Sequence, residues 1–341
     1  DGVGTETISG FVINASGTGI DSQSTTGRTN TFRDLTINQG LTGIELGGTR
    51  NYAISNVRIL NQTAAGLVNN SSGTVQLTSA TFSGIAGTAL TTNAGDMIAN
   101  QISINDTLGD GVLVGGAASA RLNLSNATIN RSLASAIINS GNGVIEGNNV
   151  QITATVQNGL QTTAGSSGSI QLTSSRIDGS IATGGRSATG VLMQGDGTVT
   201  LNQTRLTTAQ TGVDVTGNGM FAMNNGSITN IADTGIRLRP TAPTDVNSGS
   251  AELNGVTMAN FGGNGISAQG VGTAGLGGNV SFINSSLSSV AGIGILGDNL
   301  GTPGTGSLIR VEGSEISSTT LAGIQVTDSN LRVDGSTLSN N

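Results

Sequence analysis

Short apolar clusters alternate with polar residues along the whole chain. An apolar residue follows Gly or another small residue again and again, as in "TGIELGG" (42–48) and "TGVDVTG" (211–217). Successive apolar positions of this kind are mostly 22–25 residues apart, with four longer gaps of 29–31 residues. The positions are Ile20, Ile44, Leu67, Leu90, Val112, Ile137, Leu160, Val191, Val213, Ile236, Ile266, Ile295 and Ile324. A repeat of this length predicts a solenoid of stacked coils.

A second pattern lies between these positions. It reads apolar-x-apolar, four residues, then apolar, as in "VQLTSATF" (75–82) and "LRVDGSTL" (331–338). The alternation of apolar and polar residues is typical of strands, and each repeat holds three short pieces of this kind. Such pieces are too short to bury a core alone, but coils stacked ~4.8 Å apart form continuous interior rows of apolar side chains.

Two polar features support the stacking. The small residue before each repeated apolar position indicates a turn into a strand, where Gly tolerates unusual backbone angles. Asn follows the last apolar residue of the second pattern in many repeats, and stacked Asn side chains can satisfy one another at a turn. A merely Asn-rich loop is the alternative. The positions are Asn14, Asn38, Asn61, Asn105, Asn130, Asn230 and Asn260.

The coil pattern from "TISGFVI" (7–13) to "LRVDGSTL" (331–338) resembles the right-handed parallel β-helix, or pectin-lyase-like, superfamily. The resemblance implies an all-β chain with one β-helix domain over 1–341, built from about 13–14 coils of about 22–24 residues. A texture rich in Thr, Ser, Asn and Gly and free of Cys is most similar to bacterial autotransporter passengers and surface adhesins. It implies an extracellular or bacterial cell-surface location.

Composition excludes several classes of protein. A hydrophobic fraction of 35% with a net charge of −7 argues against disorder. No apolar run approaches the ~18 residues of a membrane helix, so we expect no membrane insertion of this segment. An acidic chain without a basic cluster argues against nucleic acid as a partner.

Enzymatic chemistry has little support in the residues. The chain has no His, and all 13 of its basic residues are Arg, so the His-dependent motifs of hydrolases and epimerases with this fold are missing. Asp21 and Glu45 occupy equivalent outward positions, but two carboxylates are too few for Ca²⁺. The "GIGILG" at 292–297 lacks the βαβ context of a dinucleotide site. We therefore expect no catalytic residues, no metal and no cofactor.

One charged group is a candidate binding site. Asp214 and Arg237 fall at the same outward position of adjacent coils, and Arg239 follows two residues later. They suit contact with a carbohydrate or the remnant of an acid–base site. The alternative is a cross-strand ion pair worth about 0.2–1 kcal/mol. Asp245, in the insert that follows Arg239, completes the candidate site.

Four coils carry inserts. Three of them, 239–250, 269–279 and 297–307, fall at one corner of the coil, whereas 178–190 leaves from a different one. Inserts at one register form a ridge along one face, which is often the binding face of a solenoid. Tolerated variation of surface loops is the alternative.

Three functions remain open. The first is a non-enzymatic structural or adhesive rod that contacts a surface glycan or protein. The second is the subunit of an end-to-end filament, because neither "DGVGTETISG" (1–10) nor "STLSNN" (336–341) reads as a capping segment. The third is a carbohydrate-active or carbohydrate-binding β-helix. The chain has a single Tyr and no Trp to stack on sugar rings, and Tyr52 lies at an inward strand position.

Overall fold

A computed structural model describes most of the chain. The described residues are 6–23, 25, 29–116, 120–180, 185–240, 249–270, 278–298, 300 and 308–341. They form strands and tight connections, and none of them lies in a helix. No described segment is therefore a helix capable of crossing a membrane.

The described residues form thirty-five strands. The first twelve are β1 Thr7–Ser9, β2 Val12–Asn14, β3 Ile20–Ser22, β4 Asn30–Asn38, β5 Thr42–Leu46, β6 Tyr52–Leu60, β7 Ala65–Asn69, β8 Thr74–Ser83, β9 Thr88–Thr92, β10 Asp96–Thr107, β11 Val112–Val114 and β12 Arg121–Ser132. The next twelve are β13 Ile137–Asn139, β14 Val144–Thr153, β15 Asn158–Thr162, β16 Ser169–Thr173, β17 Arg176–Asp178, β18 Ser187–Met193, β19 Thr198–Asn202, β20 Arg205–Thr207, β21 Ala209–Val215, β22 Met220–Asn224, β23 Ser227–Ile231 and β24 Ile236–Leu238. The last eleven are β25 Ser250–Asn254, β26 Thr257–Phe261, β27 Ile266–Gln269, β28 Val280–Ile283, β29 Ser286–Val290, β30 Ile293–Asp298, β31 Leu308–Glu312, β32 Glu315–Thr319, β33 Ala322–Thr327, β34 Asn330–Asp334 and β35 Thr337–Ser339.

The strands stack into two long sheets in which every named pairing is parallel. One sheet has 22 strands and the other has 13 within the described chain. The larger sheet bends around the molecule and forms two faces. The first face contains the segments in register with β19, and the second face contains those in register with β20. The 13-stranded sheet is the third face. The architecture is the predicted right-handed parallel β-helix, in which each turn of the chain crosses the three faces once.

The predicted interior row is confirmed along the third face. All thirteen repeated apolar positions are partners in successive strand pairings, from Ile20 against Ile44 to Ile295 against Ile324. Eleven of them, from Ile44 to Ile295, are 0% exposed. Rows from the other two faces complete one continuous apolar core, which includes Phe82, Phe221 and Phe282. The period of the sequence therefore corresponds to one coil.

A left-handed residue separates the first face from the second in each coil. Its φ lies between +48° and +76°, a region that favours Gly, Asn and Asp over bulky side chains. In the early coils one strand continues through this corner, so two of the predicted pieces fuse, as in β10 and β12. The corner residues are Gly10, Asp34, Asn56, Ser79, Gln101, Asn126, Asn149, Ser174, Gln203, Asn225, Gly255, Asn284, Gly313 and Gly335.

The polar ladder is partly where the sequence predicts it. Asn38 donates to Asn14 at 3.5 Å and Asn61 donates to Asn38 at 3.1 Å, and Asn260 donates to Asn230 at 3.0 Å. A further series, which the sequence reading missed, follows the left-handed corner. There Asn149 donates to Asn126 at 2.9 Å. Side-chain amides thus satisfy each other along the axis at two corners of the coil.

Gly precedes the interior row of the third face for a reason that differs from the predicted one. Gly190, Gly212 and Gly235 have no left-handed φ. A Cβ at Gly212 would instead lie 2.3 Å from the carbonyl oxygen of Gly235 in the next coil. The small residue is needed because the backbones of adjacent coils approach closely at this corner. Ala89 and Ala136 occupy the same row, so a Cβ fits only where the local backbone allows it.

The interior of the β-helix is not entirely apolar, because it also contains buried polar side chains. Arg50 is 3% exposed, and its Nη1 donates to Oδ1 of Asn30 at 2.6 Å. On the second face, the buried Ser285 accepts a hydrogen bond from the backbone N–H of Val256 at 3.0 Å and donates to the carbonyl of Ile283 at 2.7 Å. The hydroxyl of Ser314 accepts from the N–H of Ser285 in the same way. Paired groups of this kind avoid the cost of buried unsatisfied donors.

Candidate functional site

The third face brings together three of the four predicted site residues. Val213 and Val215 point into the core, so Asp214 between them points outward. Parallel pairing of β21 with β24 places Arg237 directly beside Asp214, as the sequence predicts. Arg239 follows Leu238 and lies on the same outward side.

Asp214 accepts hydrogen bonds from both guanidinium groups. Arg237 donates from Nε to Oδ1 at 3.2 Å and from Nη2 to Oδ2 at 2.7 Å. Arg239 repeats this arrangement at 3.2 Å and 2.9 Å. Two bidentate contacts of this kind occupy both carboxylate oxygens and fix the orientation of all three side chains.

The site is partly buried and electrostatically balanced. The Asp214 side chain is 4% exposed, whereas the side chains of Arg237 and Arg239 are 29% and 46% exposed. Burial acts to raise the pKa of Asp214, but hydrogen bonds and charge from Arg239 and Arg237 outweigh it, so the pKa is lowered. Nη1 of Arg237 also lies 4.0 Å from Oδ2 of Asp233. Two carboxylates thus balance two guanidiniums.

This geometry limits the chemistry that Asp214 can perform. Asp214 is a poor general base because its pKa is lowered and its two oxygens already accept four hydrogen bonds. No free acceptor position remains for a proton taken from a substrate. The arrangement fits the ion-pair interpretation, in which neighbouring coils are tied across the sheet. The outer edge of Arg239 remains the part of the cluster that is accessible to an anionic ligand.

Asp245 and the predicted ridge of inserts complete the list of predicted site features. Asp245 lies outside the described residues, as do most residues of the three inserts that were expected to form a ridge. Their flanking strands β24, β27 and β30 are in register with one another. The binding role of the four-residue site therefore stays a prediction.

The predicted acidic pair is present on the third face. Asp21 and Glu45 are direct partners in the pairing of β3 with β5. Asp21 accepts a hydrogen bond from Nε2 of Gln23 at 2.7 Å. In the described part of the chain no three acidic side chains come together as a metal site.

Sequence reasoning missed a basic pair on the second face. Arg176 and Arg205 are direct partners in the pairing of β17 with β20, and both side chains are exposed. The signal was present in "IQLTSSRI" (170–177) and "VTLNQTRL" (199–206), where Arg precedes the last apolar residue of both repeats.

Comparison with known proteins identifies no family for this chain. No protein-family model matches the sequence, and no curated protein is significantly similar to it. A mutant of the periplasmic alginate epimerase AlgG is similar in structure, with 8% identity and a TM-score of 0.41, over 97% of this chain and 84% of that chain. The Streptococcus pneumoniae surface protein and adhesin PfbA shows 10% identity and a TM-score of 0.36, over 95% of this chain and 91% of that chain.

At such identities and TM-scores, neither likeness bears on what this chain binds or does. The class rests on the molecule itself. Its parallel sheets, in-register interior rows and left-handed corners define a parallel β-helix.

Proposed function

We propose that the protein is a non-enzymatic structural or adhesive rod that acts outside the cell, at a bacterial surface. The observation that carries this proposal is the unbroken interior row of the third face, from Ile20 to Ile324. Because the core continues from coil to coil, the number of coils sets the length of the molecule and leaves its width unchanged, as in other solenoids. Such an element holds a contact surface at a distance from its attachment point.

The stiffness of the rod follows from its bonding. Backbone hydrogen bonds between parallel strands run from coil to coil, along the axis, on all three faces. Amide and hydroxyl ladders add side-chain bonds in the same direction. Bending the rod would have to break many of these bonds together on one side.

The absence of enzymatic activity is part of the proposal. Its support is the commitment of Asp214 to Arg237 and Arg239, together with a sequence that lacks His, Cys and Lys. The outward rows consist largely of Thr, Ser and Asn, which suit weak, repeated contact with sugars or proteins. A carbohydrate-binding role is the variant of the proposal in which that contact is made to a glycan.

Electron microscopy of the purified chain over a concentration series tests the rod. We expect particles of uniform narrow width whose length is set by the number of coils. Growth of particles end to end would favour the filament. Compact particles would refute the rod, and cleavage or epimerisation of an added polyuronate would refute the non-enzymatic assignment.

A further inference from the structure

The second face carries two arginines stacked in adjacent coils. Ile177 and Leu206 point into the core, which directs Arg176 and Arg205 to the same outer surface. Strands in a sheet lie ~4.8 Å apart, so the two side chains begin one coil spacing from each other. Like charges that are direct cross-strand neighbours are unfavourable. This arrangement therefore costs stability unless something else neutralises it.

The chain itself neutralises only one of the two. Nη2 of Arg176 donates to Oδ2 of Asp178 at 2.5 Å. The guanidinium of Arg205 has no hydrogen bond or ion pair within the described residues. Two guanidiniums and one carboxylate leave a net charge of +1 at this surface.

The third face carries the opposite arrangement. Asp21 and Glu45 are direct neighbours in adjacent coils, and in the described chain neither of them has a cationic partner. The spacing of this acidic pair is one coil, as is the spacing of the basic pair, because both are set by the rise of the helix. Two carboxylates on one rod therefore match two guanidiniums on another rod lying alongside.

We propose that the basic pair Arg176–Arg205 of one copy binds the acidic pair Asp21–Glu45 of a second copy, so that rods associate side by side. The inference rests on the rod proposed above and is distinct from end-to-end growth. The neighbours of the basic pair in its own row are Gln151 and Ser227, which are uncharged. Arginine extends beyond such side chains and reaches a facing carboxylate in bidentate geometry.

The contact is heterologous, because the two patches lie on different faces. A heterologous contact leaves one unused patch on each copy, so association continues from rod to rod instead of stopping at a dimer. The acidic pair lies in the first and second strands of the third face. The coil that contains Arg176 contributes the eighth strand of the same face. Parallel rods would thus be displaced by about seven coils, ~34 Å along the axis.

Two charge reversals test the proposal. Arg205→Glu places a carboxylate beside Arg176, and Glu45→Arg places a guanidinium beside Asp21, so each variant gains an ion pair on its own face and keeps its fold. Each variant has lost one patch and retains the other. Arg58→Gln is the matched control, since Arg58 is exposed on the outward row of the second face and has no side-chain partner within the described residues.

Sedimentation velocity at low salt and at ~0.5 M salt, over a concentration series, provides the readout. We expect the unmodified chain and Arg58→Gln to associate at low salt and to dissociate at high salt, because exposed ion pairs are screened. Each reversal alone should weaken self-association at least ~10-fold. An equimolar mixture of the two variants should form dimers and nothing larger, because only one pair of complementary patches remains.

Three results would overturn the inference. They are an unmodified chain that stays monomeric at every concentration and salt, a reversed variant that associates as the unmodified chain does, and a mixture that stays monomeric. Monomeric rods seen by microscopy under the same conditions would reject the lateral contact alone and leave the rod in place. Compact particles would reject the rod itself.

Discussion

Asp214→Asn removes the charge on which two guanidiniums converge and keeps the volume of the side chain. An amide can accept from the arginines with its oxygen only, while its NH₂ group faces further donors. Arg237 and Arg239 would then lie close together without a shared counter-ion. We therefore expect the change to loosen β21 and β24 locally and to leave distant coils unaffected, since each coil contacts only its neighbours.

The expected magnitude follows from burial. Breaking a fully buried ion pair by removing one partner costs about 3–5 kcal/mol, and exposed pairs contribute about 1 kcal/mol or less. Asp214 is 4% exposed, but its partners are 29% and 46% exposed, so water screens them substantially. A value between the two limits, about 2 kcal/mol, corresponds to a ~30-fold larger population of the locally open state.

Hydrogen exchange read by mass spectrometry is the appropriate assay, because a solenoid need not unfold in one step. Peptides that cover 209–215 and 236–240 should exchange ~30-fold faster in Asp214→Asn, and peptides from β10 should not change. Asp233→Asn is the control, because that carboxylate is 46% exposed and lies 4.0 Å from Arg237. Equal exchange in Asp214→Asn and the unmodified chain would refute the reasoning.

The effect should also depend on pH with a defined sign. The folded pKa of Asp214 is lowered below its ordinary value of 3.8, so its contribution to stability is complete above the unfolded pKa. It is lost as the pH falls through the folded pKa. The difference in urea stability between the unmodified chain and Asp214→Asn should therefore be present at pH 7 and shrink below about pH 4. A difference that kept its full pH 7 size below the unfolded pKa would contradict the assignment to this charge.

Two further substitutions test packing within the coil. Gly212→Ala should destabilise by about 1–3 kcal/mol, because its Cβ would lie 2.3 Å from the carbonyl oxygen of Gly235; Gly17→Ala, which has open space around its Cβ, should lower the melting temperature little or not at all. Ser285→Ala should cost about 1–2 kcal/mol in urea unfolding, because it leaves the buried N–H of Val256 without an acceptor. Ser285→Thr keeps the hydroxyl and should cost less, and equal losses for Ala and Thr would show that the hydroxyl does not matter.

The sequence alone determined the period, the strand character and the interior row. Those follow from local alternation and from counting residues between like positions, since a residue in a stacked coil packs against its equivalents one period away. The same counting placed Arg237 beside Asp214 and Glu45 beside Asp21 correctly. The same spacing also makes Arg176 and Arg205 neighbours.

Only the tertiary structure decided how these neighbours interact. Counting could not show that Asp214, on an outward position, is buried by two side chains that close over it. It could not show that Gly212 is needed for the approach of two backbones, since that distance depends on how a whole coil is shaped. The register of stacked strands follows from the number of residues between equivalent positions, so it can be predicted from the sequence. Burial and contact depend on side chains that converge from several coils, so they emerge only when the coils are stacked.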